Sequence, residues 1–179
     1  MIAMVSGKVI YRGNGFAIVE RDGIGYKVNL PEPVNVSGDV SLYTHEVIRE
    51  DQRELFGFFS IEALELFWRL TSVSGVGPKS GQKIVFAASV DEVKRKIMTQ
   101  DIAFLSSISG IGKKTAQKIV LDLSGVLAEA DEAANGAEGE AVGALVGLGY
   151  TRKQASDALE GLDGNVEDQI RQALKRLSR

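Results

Sequence analysis

The sequence predicts a multidomain α+β protein: a small N-terminal β-barrel, a central pair of helical hairpins and a short three-helix domain at the C-terminus. Three observations predict it. Residues 2–59 are rich in Val, Ile, Tyr and Phe and are interrupted at short intervals by Gly, Asn and Asp. After Ser60 the apolar residues take up helical spacing. The stretch "SGVGPKSGQKIV" at 74–85 is written again as "SGIGKKTAQKIV" at 109–120.

The first segment, 1–62, contains five strand-like runs: "GKVIYR", "FAIVE", "YKVNL", "VSLYTHEVI" and "ELFGFF". "RGNG" and "RDGIG" supply turn chemistry between them. Five strands in so short a chain suit closure, which removes exposed edges, and the OB-like barrel is the five-stranded form that meets nucleic acid. A small antiparallel sandwich is the alternative. Ser60 is placed to cap a helix in which Leu64, Phe67 and Trp68 share a face, and "SVDE" from Ser89 has the spacing of a capping box. The helical region 63–125 ends at "VLAEADEAANGAEG", which is acidic and lacks aromatic residues, so 126–138 is expected to be a flexible acidic linker. Helices at about 139–147, 152–160 and 166–177 follow, the second opened by the capping box "TRKQ" and the third capped by Asn165.

The chain has 179 residues, no cysteine and one histidine, which excludes disulfides, thiolate metal sites and histidine-rich sites. His45 is expected to be structural or exposed. The start, "MIAMVSGKVIYRGNG", has no signal-peptide pattern, so a cytoplasmic, non-membrane protein is expected. The net charge of −3 conceals an uneven distribution: 6 basic against 9 acidic residues in 1–64, 9 against 5 in 65–125, and 6 against 10 in 126–179. Only the segment holding the repeat is basic.

Leu70–Val85 and Leu105–Val120 match at ten of sixteen positions. Each copy has Gly-apolar-Gly, then a lysine, then a helix. Gly75 with Gly77, and Gly110 with Gly112, allow a sharp turn and a close approach, and the helix start that follows offers unpaired N–H groups to an anion. Lys79 and Lys83, and in the second copy Lys114 and Lys118, lie four apart on one helical face; Lys113 adds a further cation. The pattern resembles a tandem helix-hairpin-helix, which grips DNA by its backbone. The bland alternative is a pair of hairpins whose glycines serve only as turns. "GVGPKSG" fits neither the dinucleotide fingerprint nor the nucleotide-binding P-loop, so no ATP hydrolysis by this chain is expected.

Taken in order, the barrel, the tandem hairpins, the acidic stretch and the C-terminal helices closely resemble the RuvA family of Holliday-junction-binding proteins. The markers are "GVGPK", "GIGKKTA", "IREDQRELFGF" and "EAVGALVGLGYT". The resemblance implies a homotetramer, single or paired, that holds a four-way DNA junction open and flat without a cofactor or metal. It also implies a RuvB-like hexameric ATPase as motor and a RuvC-like resolvase as a further partner. Glu50 and Asp51 match an acidic pin at the crossover, where two carboxylates repel converging phosphates. Arg49 and Arg53 flank the pair and can hold neighbouring phosphates. The three helices from 139 to 179 look like a ubiquitin-associated (UBA-like) domain that touches the motor. Val142 and Leu145 are expected to fill its own core, and Leu148, Tyr150 and Leu177 to be exposed for contact. Three other functions remain open: a metal-dependent nuclease using the carboxylates, a repair lyase or glycosylase, and a scaffold built around the C-terminal domain.

Overall fold

The computed structural model describes every residue except 33, 51, 163, 178 and 179, and for 129–138 and 152 it describes the backbone alone. Strands β1 (Met4–Gly13), β2 (Phe16–Arg21), β3 (Ile24–Asn29), β4 (Asp39–Ile48) and β5 (Arg53–Phe58) form a closed barrel in the order β1-β2-β3-β5-β4. Alternate residues point inward, so Val5, Ala17, Val19, Val28, Leu42 and Leu55 fill the interior. Arg21 pairs with Ile24 across Asp22 and Gly23, whose φ values of 53° and 82° match the two-residue turn that suits strand twist.

Four of the five strand pairings are antiparallel, and the fifth, β3 with β5, is parallel with Val28↔Leu55 and Asn29↔Phe56 in register. That seam is short. Gln82, from the helical region, reinforces it: its buried Nε2 donates to the carbonyls of Asn29 (2.8 Å) and Gly57 (3.0 Å). Asn29 Nδ2 in turn donates to the Leu55 carbonyl at 3.0 Å, so the amides satisfy backbone acceptors that the ladder leaves over.

Helices α1 (Ile61–Ser72), α2 (Pro78–Val85), α3 (Val90–Met98) and α4 (Ile102–Ser107) precede the long α5 (Lys113–Gly147). On α1, Leu64 and Phe67 are buried while Trp68 is 46% exposed. Phe67 lies 6.1 Å from Phe56 and 4.8 Å from Phe58, ring to ring. This shared aromatic core makes barrel and hairpins one compact unit, Met1–Gly125; Val126–Arg179 is a second.

Two local expectations change. Ser89 does accept from the Glu92 N–H at 3.3 Å, but the Glu92 carboxylate turns to Arg95, so half the box is made. Ion pairing with a guanidinium outcompetes a single backbone donor. The stretch 126–138 has helical backbone throughout as part of α5, in place of an irregular linker. Its alanines and glutamates are strong helix formers, a propensity that its acidity obscured.

In the second unit, α6 (Arg152–Leu159) carries the full Thr151/Gln154 capping box, and α7 (Val166–Leu177) is capped by Asn165, which accepts from the Asp168 N–H at 2.9 Å. Ala141, Leu145, Ala155, Leu159 and Ala173 form its core. Among the described residues no helix is long and apolar enough to cross a membrane.

Candidate nucleic-acid interface

The repeated letters fold into two hairpins that match bond for bond. In the first, α1 ends with Val73 N–H donating to the Leu70 carbonyl at 3.2 Å, and Val76 N–H returns to Val73 at 3.0 Å. In the second, Ile108 donates to Leu105 at 3.3 Å and Ile111 to Ile108 at 2.9 Å. Val76 and Ile111, 5% and 4% exposed, plug each loop into its hairpin. The flanking glycines are left on the outside.

Those glycines divide into two kinds. Gly75 and Gly110 have φ of 93° and 91°, a conformation in which a side chain is strained, and this explains their identity within the protein. Gly77 has an ordinary φ of −83°, Gly112 is not in the left-handed region, and a Cβ added to either would meet nothing within 4 Å. Nothing among the described residues requires them to be glycine. A bare backbone at such a point is what the close approach of an external group requires.

The helix starts tell the same story. Ser60, Ser89, Asp101, Thr151 and Asn165 each use a side chain to cap the helix that follows. At α2 and α5 the preceding residue is Gly77 or Gly112, with no side chain to do so, and the first backbone bonds are Gly81 N–H to Gly77 and Ala116 N–H to Gly112. Ahead of these bonds lie the amides of Lys79 and Ser80 at α2, where Pro78 has no N–H, and of Lys113, Lys114 and Thr115 at α5, beside the exposed side chains of Lys79, Lys83, Lys113, Lys114 and Lys118. Two uncapped helix ends with lysines have the backbone and charge that an anion site needs.

The barrel adds to this surface. Asn14, Pro31 and Glu32 share a groove of about 790 Å³ with Lys79 and Lys83 of the first hairpin and Ser109 of the second hairpin's loop. Between β4 and β5, Arg49 N–H donates to the Gln52 carbonyl at 2.8 Å, which closes a turn on which Arg49 and Glu50 are exposed; Arg53, also exposed, begins β5. Asp51 lies outside the described residues. One strand residue from Arg53, Glu54 is 3.7 Å from Lys79 Nζ. His45 is structural: its Nδ1 accepts from the Trp68 indole at 3.1 Å, and burial pushes its pKa below the ordinary 6.5.

Comparison with known proteins is consistent along the whole chain. Residues 1–57 match the model of the RuvA N-terminal domain, 67–124 that of a SAM-like helix-hairpin-helix tandem, and 136–178 that of the RuvA C-terminal domain. A Holliday junction branch migration complex subunit RuvA of Exiguobacterium sp. is 37% identical over 193 residues, 99% of either chain. The chain belongs to the RuvA family. Further RuvA relatives agree: that of Thermoanaerobacter sp. is 38% identical over 185 residues (99% of either chain), and that of Acetivibrio thermocellus 36% over 202 (100% of either chain).

Within the RuvA C-terminal domain the expected contact residues separate. Leu148 is 62% exposed, whereas Tyr150 and Leu177 are half-buried and pack on the domain's own core beside Val142. A core of small alanines leaves gaps that these larger side chains close. Leu145 is fully buried, and Val146, not singled out in the sequence, is 43% exposed near Leu148. Gln82 and Glu54 were also missed. Gln82 carries the same letter as exposed Gln117 in the repeat, so local sequence could not distinguish them; Glu54 stood within a charged run, without a visible partner.

Proposed function

We propose that the protein is a non-catalytic DNA-binding subunit that recognises Holliday junctions, holds the four arms open and flat, and delivers them to a RuvB-like hexameric ATPase for branch migration in recombination and repair. The observation that carries this is the pair Gly77 and Gly112, glycines with ordinary backbone and empty space before them, each at an uncapped helix start. The two hairpins take phosphates of a duplex arm through backbone N–H groups and lysines. Such contacts carry no sequence information, so selectivity is for shape. Shape enters through assembly: a homotetramer directs its hairpins at several arms. Glu50 and Asp51 face the crossover as a pin, flanked by Arg49 and Arg53, and repel phosphates that a plain duplex would bring there. The C-terminal unit, with Leu148 foremost, meets the motor; Tyr150 and Leu177 support that surface from the core. A RuvC-like resolvase uses the opened junction.

Binding of a synthetic four-way junction and of linear duplex of equal length, across a salt series with the assembly state measured in parallel, tests this. The expected result is a junction preference that survives competing duplex, with affinity falling by about 0.9 log units per log unit of salt for each phosphate engaged. Equal affinity for the two DNAs, or cleavage of either by the pure protein, would overturn the proposal.

A further inference from the structure

Aligned lysines in the two hairpins have different surroundings. Lys79 reaches back to the barrel, where its Nζ lies 3.7 Å from the Glu54 carboxylate, a side chain only 19% exposed on β5. Lys114, its counterpart, is exposed and has no carboxylate in ion-pair range among the described residues, and the same holds for Lys113 and Lys118. Glu54 pairs with Val47 across β4, a few residues from the exposed turn of Glu50.

We infer that Glu54 is a positioning and specificity-setting residue that competes with DNA phosphate for Lys79, so that the first hairpin grips an arm more weakly than the second. This rests on the DNA-binding function proposed above. When Lys114 meets a phosphate, the DNA releases a condensed cation and nothing takes its place. When Lys79 does so, it must first leave Glu54, and the lost pairing offsets part of what the phosphate contact gains. Lys79 therefore contributes less to the grip than Lys114, while Lys83, exposed and with no carboxylate in ion-pair range among the described residues, still serves the first hairpin. A duplex arm held firmly at one hairpin and loosely at the other can be passed along with a lower barrier than one held firmly at both.

The experiment is the salt dependence of junction binding by the full-length protein and by Glu54→Gln, Lys79→Ala, Lys114→Ala and the double variant Glu54→Gln with Lys79→Ala. Glu54→Gln is expected to raise junction affinity several-fold at low salt, with the gain shrinking as salt rises. Lys79→Ala should lower low-salt affinity less than Lys114→Ala does. In the Lys79→Ala background Glu54→Gln should change nothing, since its effect runs through the lysine. An unchanged low-salt affinity in Glu54→Gln, an equal loss in the two lysine variants, or an effect of Glu54→Gln that persists without Lys79 would each overturn the inference while leaving junction binding intact. The two lysine variants decide the matter even if Glu54→Gln folds poorly. Failure of the unaltered protein to bind the junction would overturn the DNA-binding function itself, and the inference with it.

Discussion

The first hairpin and the second share ten of sixteen letters and the same loop hydrogen bonds, yet Gln82 and Lys79 of the first reach the barrel while Gln117 and Lys114 of the second are exposed. Gln82 is 3% exposed and holds the β3·β5 seam, whereas Gln117 is exposed. A Cβ at Gly81 would come within 2.9 Å of Thr71 Cγ2, while the second hairpin accommodates Ala116, fully buried, at the same place. Lys79 has a carboxylate beside it and Lys114 does not among the described residues. The difference teaches that duplication conserves the local chemistry of a grip, and that what surrounds each copy decides whether its side chains fasten the fold or meet a ligand.

Breaking that comparison should give its largest effect at the glutamines. Gln82→Leu removes the donor to the buried Gly57 carbonyl and the part-buried Asn29 carbonyl and is expected to cost about 2 kcal/mol, read as a lower denaturation midpoint, because an orphaned buried group costs about 1–3 kcal/mol. Gln117→Leu should stay within about 0.5 kcal/mol, as exposed substitutions do. Gly81→Ala comes next: overpacking against Thr71 should cost about 1–3 kcal/mol. The reverse change, Ala116→Gly, should cost about 1 kcal/mol from helix propensity alone. Equal responses of either pair would show that the hairpins are alike in their packing.

The glycines sharpen the other side of the comparison, where the hairpins should behave alike. Gly77→Ala and Gly112→Ala each have room for the methyl group, so melting should move by less than about 1 kcal/mol. Junction affinity should nevertheless fall about tenfold, equivalent to about 1.4 kcal/mol. Full affinity in both variants would show that no external group approaches there.

The smallest effect lies at the contact between barrel and first hairpin, where the protein's single histidine and single tryptophan meet. His45 has a folded pKa lowered by burial, so above pH 6.5 it is neutral in both states and pH has no effect through it. Below 6.5 the unfolded chain takes up the proton first, and stability falls as pH drops. Trp68 fluorescence should change at a pH below 6.5, when the imidazole is protonated and ceases to accept, and His45→Gln should abolish that transition. A transition at or above 6.5 would show that burial does not govern this group.

Much of this could be read without coordinates. Alternating apolar residues specify strands, the caps at Ser60, Thr151 and Asn165 lie where side-chain oxygens can reach helix amides, and the repeat announces its hairpins through glycines whose backbone roles are local. Readings that needed one local rule to win over another were less secure: Glu92 chose Arg95 over its box, the acidic run 126–138 took helical backbone, and Tyr150 and Leu177 turned to the core.

By itself, then, the sequence determined the strands, the helices, the two uncapped glycine turns and membership of the family, because each depends on residues near one another in the chain. Tertiary structure alone decided that Gln82 closes the barrel, that Glu54 faces Lys79 and that His45 accepts from Trp68, because each joins residues 23 to 53 positions apart whose meeting depends on how the barrel packs against the helices.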